Sequence, residues 1–278
     1  MTKEYVVIKM LSNNVVVTQK DDNYFVLLGK GIGFGKKKGD IISEGQNIEH
    51  KFIQINDKEK HNYENVLKNI DEEVLALTEE IIALASEKLG EELNSHIHVA
   101  LADHINFAIK RIKEGIDIVN PFLYEIRTLY PIEYSIAEQT IKLVKDKLGI
   151  ELPESEVGFI TLHIYSARVN TDVSDSLKWT RIVKEVVDYI SKRLNITLNE
   201  KSLEYSRLIS HLRYAIYRIE QGKNLENMFL PSVKKQLKKE FEFSREVCDF
   251  ISKKLNKKVP EDEVGYIAVH IHRLLEKS

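Results

Sequence analysis

The chain has 278 residues, enough for two or three domains that each bury a core, and its formal charge of −2 excludes a strongly basic nucleic-acid footprint over the whole molecule. A single cysteine, Cys248, excludes a disulfide framework, and no apolar run approaches the roughly 18 residues needed to span a bilayer. With no basic-then-apolar signal segment at Met1, the expectation is a soluble cytoplasmic protein without membrane insertion.

Residues 1–56 differ from the rest of the chain. They carry eight Lys/Arg against six Asp/Glu, which leaves 33 against 37 for residues 57–278, so the front segment is mildly basic. Short β-branched and aromatic runs (Tyr5-Val-Val-Ile, Val15-Val-Val-Thr, Tyr24-Phe-Val-Leu-Leu, Phe52-Ile-Gln-Ile) are broken by Asn13-Asn14, Asp21-Asp22-Asn23 and glycines. That pattern predicts a small antiparallel sheet. So small a sheet buries little apolar surface alone, which implies pairing with a second copy in a homodimer.

The run Gly29-Lys30-Gly31-Ile32-Gly33-Phe34-Gly35-Lys36-Lys37-Lys38 invites a nucleotide-loop reading. Phosphate-binding loops of that kind open a helix, however, and Gly39-Asp40-Ile41-Ile42-Ser43 has no helical period. Backbone and lysines approaching a nucleic-acid phosphate chain, with Phe34 free to stack on a base, fit better. The alternative is a glycine-rich hairpin with Phe34 in the core.

Asn56 to Asn62 is polar and reads as a linker. Leu67, Ile70, Val74, Leu77, Ile81, Leu84 and Leu89 then predict one amphipathic helix from Tyr63 to about Gly90. The next helix holds the stripe Leu101, Ile105, Ala108 and Ile112, with His104 at its edge and Arg111 two turns on, on the same side. A further helix around Ile136 to Leu148 ends at Gly149, and Pro153 with Glu154 and Glu156 opens the helix that carries His163. Residues 166–178 read as a second linker, after which a helical module restarts at Trp179. Cys248, in the helical run Ser244 to Leu255, reads as a buried inert thiol.

Much of this is written twice. Pro153-Glu-Ser-Glu-Val-Gly-Phe-Ile-Thr-Leu-His163-Ile returns as Pro260-Glu-Asp-Glu-Val-Gly-Tyr-Ile-Ala-Val-His270-Ile, an offset of 270 − 163 = 107 residues. The same offset carries His104 and Arg111 onto His211 and Arg218. A period that long is a duplicated domain, not a solenoid unit.

Of nine histidines, four occupy repeat-equivalent places. A hydrogen-bonded core histidine is the plain explanation for any one of them. Metal binding lacks a supporting cluster of Cys, His or carboxylates at the repeated positions, so no metal and no cofactor is expected. Neutral imidazole is also a nucleophile able to take a phosphoryl group, which adds nearly two negative charges where there were none. Arg111 and Arg218 are candidate partners for such a phosphate.

These residues resemble the BglG/SacY family of transcriptional antiterminators along the whole chain. The resemblance rests on Asn13-Asn14-Val, the glycine run, Ala102-Asp103-His104-Ile, Leu152-Pro-Glu-Ser-Glu-Val-Gly-Phe-Ile-Thr-Leu-His163, Ser210-His211 and Val269-His270-Ile. The glycine run and Glu92 to Arg111 are most similar to the branch controlling glucose uptake, with the β-glucoside branch close behind. It implies an all-β co-antiterminator RNA-binding domain (1–56) and two all-α helical-bundle phosphotransferase-system regulation domains related by duplication (62–170 and 171–278). It further implies that a dimer grips an RNA hairpin overlapping a terminator in a sugar-uptake leader, with Asn14, Gly29, Lys30 and Phe34 touching the RNA. Lys30 stands where relatives often have arginine and Ser12 where asparagine is frequent; lysine keeps the charge without the planar fork. By the same resemblance His104 and His163 receive phosphate through the sugar-specific enzyme IIB, His211 and His270 through HPr, and the protein is an acceptor rather than an enzyme. A DNA-binding activator with the same modules needs a front helix-turn-helix, which the strands of 1–56 disfavour. A phosphohistidine relay would pass its phosphate onward.

Overall fold

The computed structural model describes residues 4–21, 23–53 and 57–276. The front segment is a sheet of β1 (Glu4–Ser12), β2 (Val15–Lys20), β3 (Asn23–Leu28), β4 (Ile41–Ser43) and β5 (His50–Ile53), in the order β4-β1-β2-β3-β5. Every neighbouring pair is antiparallel, with Val7 opposite Thr18, Val16 opposite Leu27, Val26 opposite Phe52 and Val6 opposite Ile41. Tyr5, Val7, Val16, Phe25, Leu27, Ile32 and Ile42 form its core. The four predicted strands are present, although Gln54 and Ile55 of the last run lie outside the described residues.

The rest is helical: α1 (Asp57–Asn69), α2 (Glu72–Leu89), α3 (Ile97–Lys113), α4 (Leu123–Leu129), α5 (Pro131–Leu148), α6 (Glu154–Arg168), α7 (Val173–Leu194), α8 (Leu203–Glu220), α9 (Leu230–Gln236), α10 (Lys238–Leu255) and α11 (Glu261–Leu275). Adding 107 to the bounds of α4, α5 and α6 gives those of α9, α10 and α11, so the duplication is structural as well as textual. The fold is therefore a small antiparallel sheet followed by duplicated helical modules.

Three expectations about the connections are corrected. Of the expected linker 56–62, Asn56 lies outside the described residues and 57–62 belong to α1, because charged residues fill the helix without adding an apolar stripe. The single helix expected from Tyr63 to Gly90 is two, broken where Asp71 adopts extended φ −60°, ψ 140°. Buried Leu67, Ile70 and Val74 keep a helical spacing across that break and hide it. The expected linker 166–178 shrinks to four residues between α6 and α7, and α7 begins at Val173 rather than Trp179.

The chain packs as two compact units, Met1–Pro121 with Ile132–Val173, and Phe122–Pro131 with Ser174–Ser278. The short α4 thus belongs to the second unit, where it packs on α8. There Lys184 pairs with its buried Glu125 at 3.1 Å and Tyr124 Oη donates to the Glu200 carbonyl. Its repeat counterpart α9 packs instead on α10 and α11.

Inside the first unit α1, α2 and α3 are tied together by polar groups that have no counterpart in the repeat. Glu79 of α2, 1% exposed, accepts a hydrogen bond from Tyr63 Oη of α1 at 2.9 Å and lies 2.6 Å from His98 Nδ1 of α3. Phe52 of β5 lies against the His98 ring, with centroids 5.1 Å apart. Burial and the Glu79 carboxylate push the Tyr63 hydroxyl pKa well up, so it stays a donor.

Candidate functional site

The glycine run is a succession of tight turns between β3 and β4. Ile32 N–H donates to the Gly29 carbonyl, Phe34 N–H to Gly31 and Lys36 N–H to Gly33, at 3.0–3.1 Å. Gly31 and Gly35 sit at φ 72° and 69°, where a side chain would strain the backbone. The turns send Ile32 into the core and Phe34 out, 76% exposed, which decides against the core reading of Phe34.

Asn14 ties this loop to the β1–β2 turn: its Oδ1 accepts from Gly31 N–H at 2.9 Å and its carbonyl from Gly29 N–H at 3.0 Å. Lys30, Lys37 and Lys38 are exposed around the loop. Gly29 is buried, and an added Cβ would lie 1.6 Å from the Asn47 carbonyl oxygen, so its place in the fold is close packing. Asn14, Lys30 and Phe34 are gathered on one exposed loop cluster, with Gly29 beneath it. The loop runs on into strand β4, in keeping with the rejection of a nucleotide loop.

The second constellation lies between α3 and α6. His104 and His163, 163 − 104 = 59 residues apart, have ring centroids 4.7 Å apart, and His211 and His270 of α8 and α11 repeat this at 4.9 Å. The expected pairing of the histidines within each module is therefore observed. Between His104 and Arg111 stands a group sequence reasoning assigned only to a helix first turn. Glu156, with a 1% exposed side chain, lies 2.9 Å from His104 Nε2 through Oε2 and accepts from Arg111 Nη2 through Oε1 at 2.8 Å. In the second module Glu263 accepts from Arg218 Nε at 2.8 Å and approaches His211 Nε2 to 3.2 Å, without the alignment of a full hydrogen bond. Arg111 and Arg218 are thus held by carboxylates. The signal for these glutamates was in the chain: each precedes a paired histidine by seven residues (163 − 156, 270 − 263), two helical turns on one face.

Burial pushes the Glu156 carboxyl up, but hydrogen bonds from His104 and Arg111 more than reverse it, so its pKa lies below the ordinary value. Glu263 is lowered too, the proximity of His211 and the hydrogen bond from Arg218 outweighing burial. Burial, then the neighbouring His104 and His96, lowers His163 to about 3, and its Nδ1 is buried without a hydrogen-bond partner. Burial, His211 and nearby arginines lower His270 to about 4. Both rings are neutral near pH 7, the state in which imidazole is a nucleophile. Cys248 is buried and its thiol is pushed up to about 12 by burial and by Glu263, so it is unreactive. Among the described residues no group of three or more His, Cys, Asp or Glu is placed to hold a metal ion, and no helix is long and apolar enough to cross a membrane.

Residues 5–61 match the CAT RNA binding domain family, and residues 79–167 and 184–274 each match the PRD domain family. The chain belongs to the BglG/SacY family of transcriptional antiterminators, in its glucose-uptake branch. Among its BglG/SacY relatives, the PtsGHI operon antiterminator of Bacillus subtilis (strain 168) is 37% identical over 281 residues, covering 100% of this chain and 99% of that protein. Transcription antiterminator LicT of the same organism is 34% identical over 274 residues, covering 97% and 99%. The crystal structure of GlcT CAT-PRDI matches 59% of this chain and 98% of its own, at 44% identity and a TM-score of 0.51. As a BglG/SacY member the protein is an RNA-binding transcriptional antiterminator, regulated through the phosphotransferase system.

Proposed function

We propose that this antiterminator grips an RNA hairpin in a sugar-uptake leader through the loop of Asn14, Gly29, Lys30 and Phe34, as a homodimer, and is switched by phosphoryl transfer to its paired histidines. The domains in this reading are 1–56, 62–170 and 171–278, and the protein is a phosphoryl acceptor rather than an enzyme. The observation that carries the switch is the duplicated cluster itself: two histidine rings packed at a tilt beside one buried glutamate paired with an arginine, in both modules. A merely structural histidine has no need of a second imidazole packed against it. Enzyme IIB serves His104 and His163 in this reading, and HPr serves His211 and His270.

Dimerisation of the front sheet is supported by Val6 and Ile41, which are 42% and 47% exposed and stand opposite each other on neighbouring strands as an apolar pair that a second copy would cover. Binding one RNA fold and not its competitor stabilises that fold by RT ln(1 + [L]/Kd), about 2.7 kcal/mol at a hundredfold excess over Kd, enough to reverse a close contest between hairpins. A phosphate in the first module would oppose this through like-charge repulsion and desolvation.

The test is transcript read-through with sedimentation. His104→Asp or His163→Asp should lower read-through, and His→Ala at either site should leave it on without sugar, whereas changes at His211 and His270 should be weak or opposite in sign. Identical behaviour of the Asp and Ala variants of His104, with no change in association state, would show that charge at this site is not the switch.

A further inference from the structure

We infer that Glu156 and Glu263 are positioning residues that fix which ring nitrogen takes the phosphoryl group, holding the proton on Nε2 of His104 and His211 and leaving Nδ1 as the nucleophile. This rests on the reading of those histidines as phosphoryl acceptors.

A neutral imidazole has one N–H donor and one lone pair, while an ionised carboxylate can only accept. Glu156 Oε2 faces His104 Nε2 at 2.9 Å, so an ionised Glu156 requires the hydrogen to be on Nε2. Arg111, on the other oxygen at 2.8 Å, favours that ionised form, because a guanidinium stays charged and cannot accept. His104 Nδ1 takes no hydrogen bond from any described residue, and the side chain is 16% exposed. The lone pair is therefore on Nδ1, which is not closed off from solvent as His163 Nδ1 is.

The transfer step balances without a base. The Nδ1 lone pair attacks the phosphorus of a phosphorylated carrier, the new N–P bond forms, and the donor's P–N or P–S bond breaks with its electron pair staying on the donor atom. His104 keeps its Nε2 proton, and the positive charge that develops on the ring lies against Glu156, in the way a buried carboxylate supports an imidazolium in acyl transfer. Attack by Nε2 would set the phosphate beside the carboxylate and separate Glu156 from its donor. His163 is not equivalent: its Nδ1 is buried and unpartnered, and no described carboxylate is bonded to its ring. In the second module the His211–Glu263 approach is longer and off-line, so the same assignment holds with a weaker bias.

The experiment uses the full chain with 15N-labelled histidine. Two-bond 1H–15N spectra read the tautomer of each ring, and the same spectra after incubation with phosphorylated enzyme IIB read the phosphorylated nitrogen. In the parent protein His104 should be at least ninefold in favour of Nε2–H, and its phosphate should sit on Nδ1. Glu156→Gln keeps the shape but can donate as well as accept, so the tautomer ratio should fall at least fivefold and phosphate should appear on both nitrogens. A purely structural Glu156 would leave that ratio unchanged, which overturns the inference. Nδ1–H, or phosphate on Nε2, in the parent overturns it too while the acceptor reading stands. No phosphate on His104 while another histidine is labelled removes the acceptor reading for that ring, and the inference with it.

Discussion

Replacing Glu79 by alanine tests how the first unit is held together. Glu79 is the acceptor for Tyr63 Oη at 2.9 Å and the partner of His98 Nδ1 at 2.6 Å, and all three side chains are at most 2% exposed. The alanine variant strands both polar groups away from water, at about 1–3 kcal/mol each, so a loss of about 4 kcal/mol is expected before any collapse of the space left behind. With an m-value of about 2 kcal/mol/M in urea, the transition of this unit should move down by about 2 M. Glu79→Gln can still accept from Tyr63 through its oxygen and donate to the other tautomer of His98, so it should cost about 1 kcal/mol. The single tryptophan, Trp179, lies in the second unit and provides an internal control. Far-UV circular dichroism should show the shifted transition, and Trp179 fluorescence should not. Equal shifts for the Ala and Gln variants, or a shift under 0.5 M, on the order of 1 kcal/mol at that m-value, would refute the argument that satisfied buried polar groups hold this unit.

Phe34→Ala should weaken RNA binding about 5- to 150-fold, the equivalent of the roughly 1–3 kcal/mol lost per stacked base, without changing the melting temperature, because the ring is 76% exposed. Gel shifts and calorimetry read the two effects separately. Gly29→Ala should act in the opposite manner, destabilising the front sheet by at least about 1–3 kcal/mol as the Asn47 backbone is forced away, visible as faster amide exchange in β3 and β5. Below pH 6.5 the unfolded chain takes up protons that His163 and His270 refuse in the fold, so stability should fall by up to about 1.4 kcal/mol per ring per pH unit. The loss continues to about pH 4 for His270 and about pH 3 for His163, and His163→Gln with His270→Gln should flatten the melting profile between pH 7 and 5.

What the sequence made legible came from period and repetition. The β-branched runs marked four strands, and the 107-residue offset carried His104 onto His211 and His163 onto His270, from which the closeness of the two histidines in each module was expected before any coordinates. Strand β4 escaped because three residues carry too little alternation, and α4 and α9, of seven residues each, are too short for a helical period to stand out. Asp71 ends a helix inside an unbroken apolar stripe, which pattern alone cannot detect. Glu156 and Glu263 were hidden by plausibility: an acid in a first turn already has a reason to be there, and only the tertiary fold turns it inward toward an arginine. Glu79, Tyr63 and His98 left no trace because the repeat does not reproduce them; Val186 and Tyr205 stand at the positions of Glu79 and His98.

The placement of α4 has a consequence for how the molecule comes apart. The backbone passes between the two units at Pro121–Phe122, at Pro131–Ile132 and at Val173–Ser174, so the second unit owns a ten-residue segment from the middle of the first module's sequence. A protease cutting in the short turn between Arg168 and Val173 would sever only one of the three passages. The N-terminal fragment would stay anchored through Ile126 and Leu129, both buried, and through the pairing of Glu125 with Lys184. Nicked protein should therefore migrate as one species under native conditions and as two under denaturing ones, and release of the C-terminal fragment should require α4 to leave its seat on α8. Gene fragments divided at that turn would, for the same reason, be expected to find each other when expressed together.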